Sequence, residues 1–188
     1  MGLVALIIIT VFFIPKPSGD IVARDIPKPS QSSTPTFAER PGVPVRLVIP
    51  SISVDATIVP VGVAADGTMD VKKDPVLTNW YDLGSRPGEK GSAVIAGHYG
   101  WDNGKGSVFD NLHSLKPGDE LSVKDSKGAS RTFVVRVSRS YDPSADATTI
   151  FRSNDNVAHL NLITCEGEWR ASARTYSQRL VVFTDEKQ

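Results

Sequence analysis

The chain of 188 residues has a single cysteine, Cys165, so no internal disulfide can brace it and the fold must stand on its own core. It has no charge excess, because 21 Lys and Arg balance 21 Asp and Glu. The basic surplus needed to neutralise phosphates is therefore missing, which argues against nucleic acid as a partner. It has no long apolar run. The longest, Leu3 to Ile14, is interrupted only by Thr10. At about 1.5 Å per residue it reaches about 18 Å, short of the roughly 30 Å hydrocarbon core of a bilayer. No basic segment precedes it and no small-residue cleavage site follows, so it does not read as a complete signal peptide. No stretch sustains a 3.6-residue period, which excludes long amphipathic helices. No metal and no cofactor are expected. Three spaced aspartates, Asp142, Asp146 and Asp155, share one loop, but such a spacing more often marks solvated side chains than ligands.

What remains divides into three parts. Residues 1–14 are expected to be a truncated signal anchor, with a plain leader or cloning remnant as the rival reading. Residues 15–43 read as a linker, since seven of the thirteen prolines (Pro15, Pro17, Pro27, Pro29, Pro35, Pro41 and, at its edge, Pro44) fall there among Ser, Thr and Lys. Such a stretch extends without burying a core and acts as a semi-rigid spacer. Residues 44–188 read as one mainly β domain. Expected strands are 45–49, 56–63, 92–97, 120–123, 131–138, 159–164 and 179–184, all rich in Val, Ile, Leu and Phe. Turns such as Ala65-Asp66-Gly67, Pro117-Gly118-Asp119 and Ser126-Lys127-Gly128 separate them. Short helical turns are expected near 108–115 and 147–152. Seven or eight short strands with few helices predict a closed or nearly closed β-barrel.

Three residues carry candidate chemistry. Cys165 closes the apolar run Leu160-Asn161-Leu162-Ile163-Thr164, His98 closes Ala93-Val94-Ile95-Ala96-Gly97, and Arg179 opens Leu180-Val181-Val182-Phe183. A thiol, an imidazole and a guanidinium at strand edges are the parts of cysteine-based acyl transfer. A free thiol is mostly protonated at neutral pH, so a nucleophilic cysteine needs a nearby base or cation. His98 suits that role better than its two rivals. His113 sits in a helical turn and reads as a surface or packing residue. His159 begins the cysteine strand, about 20 Å from the thiol at about 3.3 Å per residue. Arg179 is the expected oxyanion donor, with Arg170 and Arg174 in the preceding loop as competitors. Thr164 and Glu166 flank the thiol and are expected at the substrate, Glu166 as a second oxyanion donor through its backbone N–H.

This order of His, Cys and Arg resembles the sortases, cysteine transpeptidases of Gram-positive-type cell surfaces. Their cysteine motif, T-L-x-T-C, is matched by Asn161-Leu162-Ile163-Thr164-Cys165, with Asn161 in place of the first threonine. Ala96-Gly97-His98 and Arg179-Leu180-Val181-Val182 match the family's histidine and arginine segments. Arg46-Leu47-Val48-Ile49-Pro50, Trp80-Tyr81, Pro87-Gly88 and Leu115-Lys116-Pro117-Gly118-Asp119 extend the match. The resemblance implies the eight-stranded sortase barrel, a single-pass N-terminal membrane anchor with the catalytic domain outside the cell, and LPxTG-like sorting signals cleaved between Thr and Gly. It further implies transfer to an amine, such as that of a peptidoglycan precursor or a pilin. The sequence has neither a C-terminal membrane segment nor the Asp-Pro-aromatic lid of pilin-polymerising sortases, which places the likeness nearest to the class D, E or F housekeeping enzymes. Two other readings compete. Papain-like peptidases place Cys before His, and L,D-transpeptidases need a histidine beside the cysteine. The non-enzymatic alternative is an anchored β-domain in which Cys165 is buried and inert.

Overall fold

The computed structural model describes residues 40–100 and 106–188. The expected anchor, and the linker as far as residue 39, lie outside the described residues. Eight strands close into one barrel: β1 (Pro44–Ile49), β2 (Val54–Val61), β3 (Thr78–Tyr81), β4 (Gly91–Gly97), β5 (Glu120–Asp125), β6 (Ser130–Tyr141), β7 (Ala158–Arg170) and β8 (Thr175–Glu186). Their order around the barrel is β1-β2-β3-β4-β7-β8-β6-β5, with β5 returning to β1. The β2–β3 and β4–β7 pairs are parallel and the others antiparallel. Closure leaves no unpaired sheet edge. Among the described residues no helix is long and apolar enough to cross a membrane.

Alternation of side chains builds the interior. Leu47 and Ile49 of β1, Ala93 and Ile95 of β4, Leu160 and Leu162 of β7, and Leu180 and Val182 of β8 all join one buried cluster. Successive residues of a strand face opposite sides, so these pairs at i and i+2 mark the inner face. Phe109, Leu112 and Leu115, from the β4–β5 connection with its 3₁₀ turn Leu112–Ser114, pack into the same cluster. The outer face of β8 is not bare. Val181 and Phe183 pack under Ile150 of the short helix α1 (Thr148–Phe151), with Ile163 of β7 beside them. Burial on both sides explains why β4 and the middle of β7 read as continuous apolar runs rather than alternating ones.

The expected mainly β barrel with short helical turns is what the chain forms. Besides shifts of a few residues at several strand ends, three differences bear on the site. The strand Thr78–Tyr81 was not expected, because four residues, two of them polar, carry too little pattern. β7 continues past Cys165 to Arg170, and β8 begins at Thr175 rather than at Arg179. The expected loop between them is thus a hairpin that overhangs the barrel. The end of the linker is also docked. Gly42 N–H donates to Asp125 Oδ2 (2.8 Å), Arg86 Nη1 to the Pro41 carbonyl (2.7 Å), and Ser126 N–H to the Val43 carbonyl (2.8 Å).

Candidate active site

Strand register brings the three candidate residues into one row. β4 and β7 pair in parallel up to Ala96 opposite Ile163. Two residues further on, His98 falls beside Cys165. The strands are still joined there, since Thr164 Oγ1 donates to the Gly97 carbonyl at 2.8 Å. On the other side of β7, Cys165 stands directly opposite Arg179 in the antiparallel β7–β8 ladder. Residues opposite one another share a face, with Cβ atoms about 4.5–5.5 Å apart in an antiparallel pair. The row His98–Cys165–Arg179 therefore runs from the residue just past β4 across β7 to β8, with the thiol in the middle and His98 and Cys165 bordering one cavity. Its face is the outer one, because Leu162 and Thr164 take the inner positions of β7.

Local sequence explains the placement of His98. A Cβ on Gly97 would lie 2.5 Å from Phe109 Cδ2 and 2.7 Å from Val108 Cγ1, so only glycine lets the β4–β5 connection fold back against the strand end. The Phe109 N–H donates to the His98 carbonyl at 3.1 Å and fixes the backbone there. The imidazole meets the Lys72 carbonyl through Nε2 at 2.6 Å. A carbonyl only accepts, so Nε2 carries the proton and the lone pair of the neutral ring is on Nδ1.

The thiol is partly buried. Burial pushes the Cys165 thiol up from its ordinary value, and the Arg179 guanidinium pulls it partly back. Arg179 is folded along its own strand. Nη1 donates to the Tyr176 and Gln178 carbonyls (3.2 and 2.9 Å) and Nη2 to Thr175 Oγ1 (2.8 Å). A guanidinium has five N–H donors, so the fork is held in place with donors to spare.

Cys165 borders two cavities. One, of about 500 Å³, is shared with His98, Tyr99, Trp169, Arg174 and Tyr176. The other, of about 230 Å³, reaches Tyr99, Phe109, His113, Glu166 and Leu180. His113, expected to be a surface or packing residue, is exposed and stands at this second cavity, where its Nδ1–H donates to the Asp110 carbonyl (3.1 Å). Arg174, the competitor of Arg179, borders the first cavity, whereas Arg179 alone of the arginines holds the register position opposite the thiol. A larger cavity, about 850 Å³, does not touch Cys165. It opens at the far end of β4, between Tyr81, Leu83 and Ser92 on one side and Ala147, Phe151 and Arg152 on the other.

Thr164 is 3% exposed, its hydroxyl straps β7 to β4, and it borders the smaller of the two cavities beside Cys165. The side chain of Glu166 is engaged by Ser140 Oγ at 2.5 Å. Sequence reading also missed the aromatic group formed by Tyr99, Trp169 and Tyr176. Tyr176 meets the other two edge-on at centroid distances of 5.3 and 5.2 Å. No motif announces it, because its members come from two separate segments that meet only once the hairpin forms.

The three loop aspartates each serve their own turn. Asp142 accepts from Ser144 N–H and Oγ, and Asp146 from Thr148 N–H and Oγ1. Asp155 accepts from Val157 N–H and from His159, which hold its carboxyl down to about 2, the Val157 amide contributing most. His159 is thereby clasped between Asp155 and Asp185 (2.9 and 2.7 Å), at the opposite end of β7 from the thiol. Among the described residues no cluster of three or more His, Cys, Asp or Glu is arranged to hold a metal ion.

Comparison with known proteins decides the family. The sortase domain profile matches residues 47–187. The chain belongs to the sortase family. Its barrel is similar to sortase C-1 from Actinomyces oris, with 27% identity and a TM-score of 0.62 over 77% of this chain and 73% of that one. It also resembles a lid mutant of sortase A from Corynebacterium diphtheriae, at 24% identity and TM-score 0.60, over 82% of this chain and 74% of that one. Sortase C1 from Streptococcus agalactiae in complex with MTSET is similar in fold, at 20% identity and TM-score 0.61, over 77% and 67% of the two chains. No curated protein matches.

Proposed function

We propose that this sortase is a cysteine transpeptidase that cleaves an LPxTG-like sorting signal between Thr and Gly and passes the acyl group to an amine. The observation that carries the reading is the row His98–Cys165–Arg179, formed at the end of β4 and across β7 and β8. His98 takes the thiol proton, and the Cys165 sulfur attacks the threonine carbonyl carbon. The oxyanion is received by Arg179, with the Glu166 backbone N–H as second donor. The C–N bond then breaks, and His98 gives its proton to the departing glycine amine. An acceptor amine, of a peptidoglycan precursor or a pilin, attacks the thioester. His98 takes up its proton, and the sulfur leaves as thiolate. No cofactor enters the scheme. Sequence likeness favours the class D, E or F housekeeping enzymes, tethered outside the cell by residues 1–14 with residues 15–43 as spacer.

The rival reading makes Cys165 an inert core residue. Cys165 is incompletely buried and borders two cavities, which weighs against it. The test is incubation with fluorogenic sorting-signal peptides, with and without an added amine, followed by mass spectrometry. A covalent adduct on wild type is expected, and none on Cys165→Ala. His98→Ala is expected to lose roughly 10²–10⁴-fold in rate. Wild-type cleavage by Cys165→Ala refutes the proposal.

A further inference from the structure

We propose that Asn79 is a positioning residue for His98, acting through the backbone of Lys72. The inference rests on the reading of His98 as the proton carrier, and it adds what holds that ring in its working tautomer.

Asn79 lies on β3, is 0% exposed, and stands opposite Ala96 in the β3–β4 ladder. A fully buried primary amide must place both its donor and its acceptor. Asn79 Oδ1 accepts from the Lys72 N–H at 2.9 Å, and its Nδ2 donates to the Ala96 carbonyl at 3.4 Å. Both partners are backbone groups of fixed character, so the orientation of the amide is not ambiguous. Reversing it would set Nδ2 against an N–H and Oδ1 against a carbonyl.

Lys72 lies in the connection between β2 and β3, outside any strand. Its side chain turns to Asp70 at 2.8 Å and takes no part in the site. Its backbone does two things at once. The N–H is pinned to Asn79 inside the barrel wall, and the carbonyl of the same residue is presented to His98 Nε2 at 2.6 Å. The two groups lie in neighbouring peptide planes joined at one Cα, so pinning the N–H to Asn79 anchors Lys72 against the barrel wall and limits how far its carbonyl can drift from His98.

That carbonyl selects the tautomer. It holds the proton on Nε2, which leaves the lone pair of the neutral ring on Nδ1. A base whose second nitrogen is held by an acceptor keeps its orientation between turnovers, as metal-bound and triad histidines do. Asparagine suits the position because one side chain supplies an acceptor for Lys72 and a donor for Ala96. Leucine has the same branching and neither group. Aspartate keeps an oxygen for the Lys72 N–H in either protonation state and gives up only the longer contact.

The experiment uses the full chain and two readouts. The first is ¹⁵N NMR of the imidazole rings, with His113 and His159 as internal references. Wild type should show His98 as the Nε2–H tautomer. Asn79→Ala and Asn79→Leu should shift His98 toward a tautomer mixture and leave the other two rings unchanged. The second is peptide kinetics. Both variants should lose about 10–100-fold in kcat with KM nearly constant, as expected for loss of a group that orients a catalytic residue. Asn79→Asp should recover most of that loss, which a purely structural role would not predict. Should the buried substitutions unfold the barrel, Lys72→Pro removes the same N–H from the exposed side and should reproduce the kcat loss. An unchanged His98 ring spectrum, or wild-type kcat, in Asn79→Ala or Lys72→Pro overturns the proposal. The ring spectrum decides the linkage even if wild type proves inactive on peptides, and inactivity would sink the transpeptidase reading instead.

Discussion

Thr164→Val tests whether the row of site residues depends on a single strap. Thr164 Oγ1 donates to the Gly97 carbonyl at 2.8 Å, between the residues that precede Cys165 and His98. Valine keeps the shape and removes the donor. A buried carbonyl that loses a partner costs about 1–3 kcal/mol. For a domain of this size each kcal/mol lowers Tm by roughly 2–4 °C, so a loss near the low end means a drop of about 2–4 °C. Thr184 supplies a matched control. It too is fully buried, and its Oγ1 donates to the Leu160 carbonyl at 2.7 Å, across the β7–β8 pair. Leu160 lies five residues from Cys165, about 16 Å along the strand. The two substitutions should therefore lower Tm alike. Only Thr164→Val should lower turnover, by about tenfold or more, because it loosens β4 against β7 where a displacement of about 1 Å can cost 10²-fold. Thermal unfolding and steady-state peptide kinetics on both variants decide the matter. Equal turnover losses, or an unaffected Thr164→Val, would refute the idea that the strap sets the geometry of the row.

Three more outcomes are expected. Arg179→Ala removes the cation that pulls the Cys165 thiol down, so the pH midpoint of its alkylation should rise, and turnover should fall by roughly 10²–10³-fold. A midpoint that stays put or falls, or a larger loss from Arg174→Ala, contradicts this. The Asp155 carboxyl lies below its unfolded value, so its contribution is complete above about pH 4 and is lost as pH falls toward about 2. Amide exchange at Val157 should speed up over that window, and Asp155→Asn should abolish the step. A fragment beginning at Pro44 lacks the bonds of Pro41, Gly42 and Val43 to Arg86, Asp125 and Ser126. It should melt several degrees below one beginning at Ala38, and equal melting temperatures would show that these contacts are idle.

The barrel was readable because burial leaves apolar runs. Leu160 and Leu162, or Ala93 and Ile95, cannot be mistaken for loop residues. The unread strand, Thr78–Tyr81, owes its form to its neighbours, since Asn79 and Thr78 are buried for their hydrogen bonds and not for their hydrophobicity. The hairpin beyond Cys165 was unreadable for a similar reason. Glu168, Arg170 and Gln178 are exposed, so pairing leaves no alternation to detect. Cys165, His98 and Arg179 were each singled out as candidates from the strand they border, and what brings them together is register, which no single segment encodes. The partnership of Lys72 with His98 left no trace at all, because it runs through a backbone carbonyl that every residue type possesses.

The bulge at Gly167 has a consequence for how this chain tolerates changes of length. Pairing of β7 with β8 shifts between Glu166 and Trp169, and Gly167, at φ 81°, sits where a Cβ would strike Ser177 Oγ at 2.3 Å. The pairing that sets Cys165 opposite Arg179 lies on the barrel side of that irregularity, whereas Thr175 and Tyr176, which hold the guanidinium, lie beyond it. Residues added to or removed from the hairpin tip in matched pairs would leave the thiol and the guanidinium facing one another, while reshaping the cavity that Trp169, Arg174 and Tyr176 border. A single residue inserted between Leu160 and Thr164 would turn the thiol to the opposite face. Homologous chains should accordingly vary in length beyond Gly167 and hold it constant before Cys165.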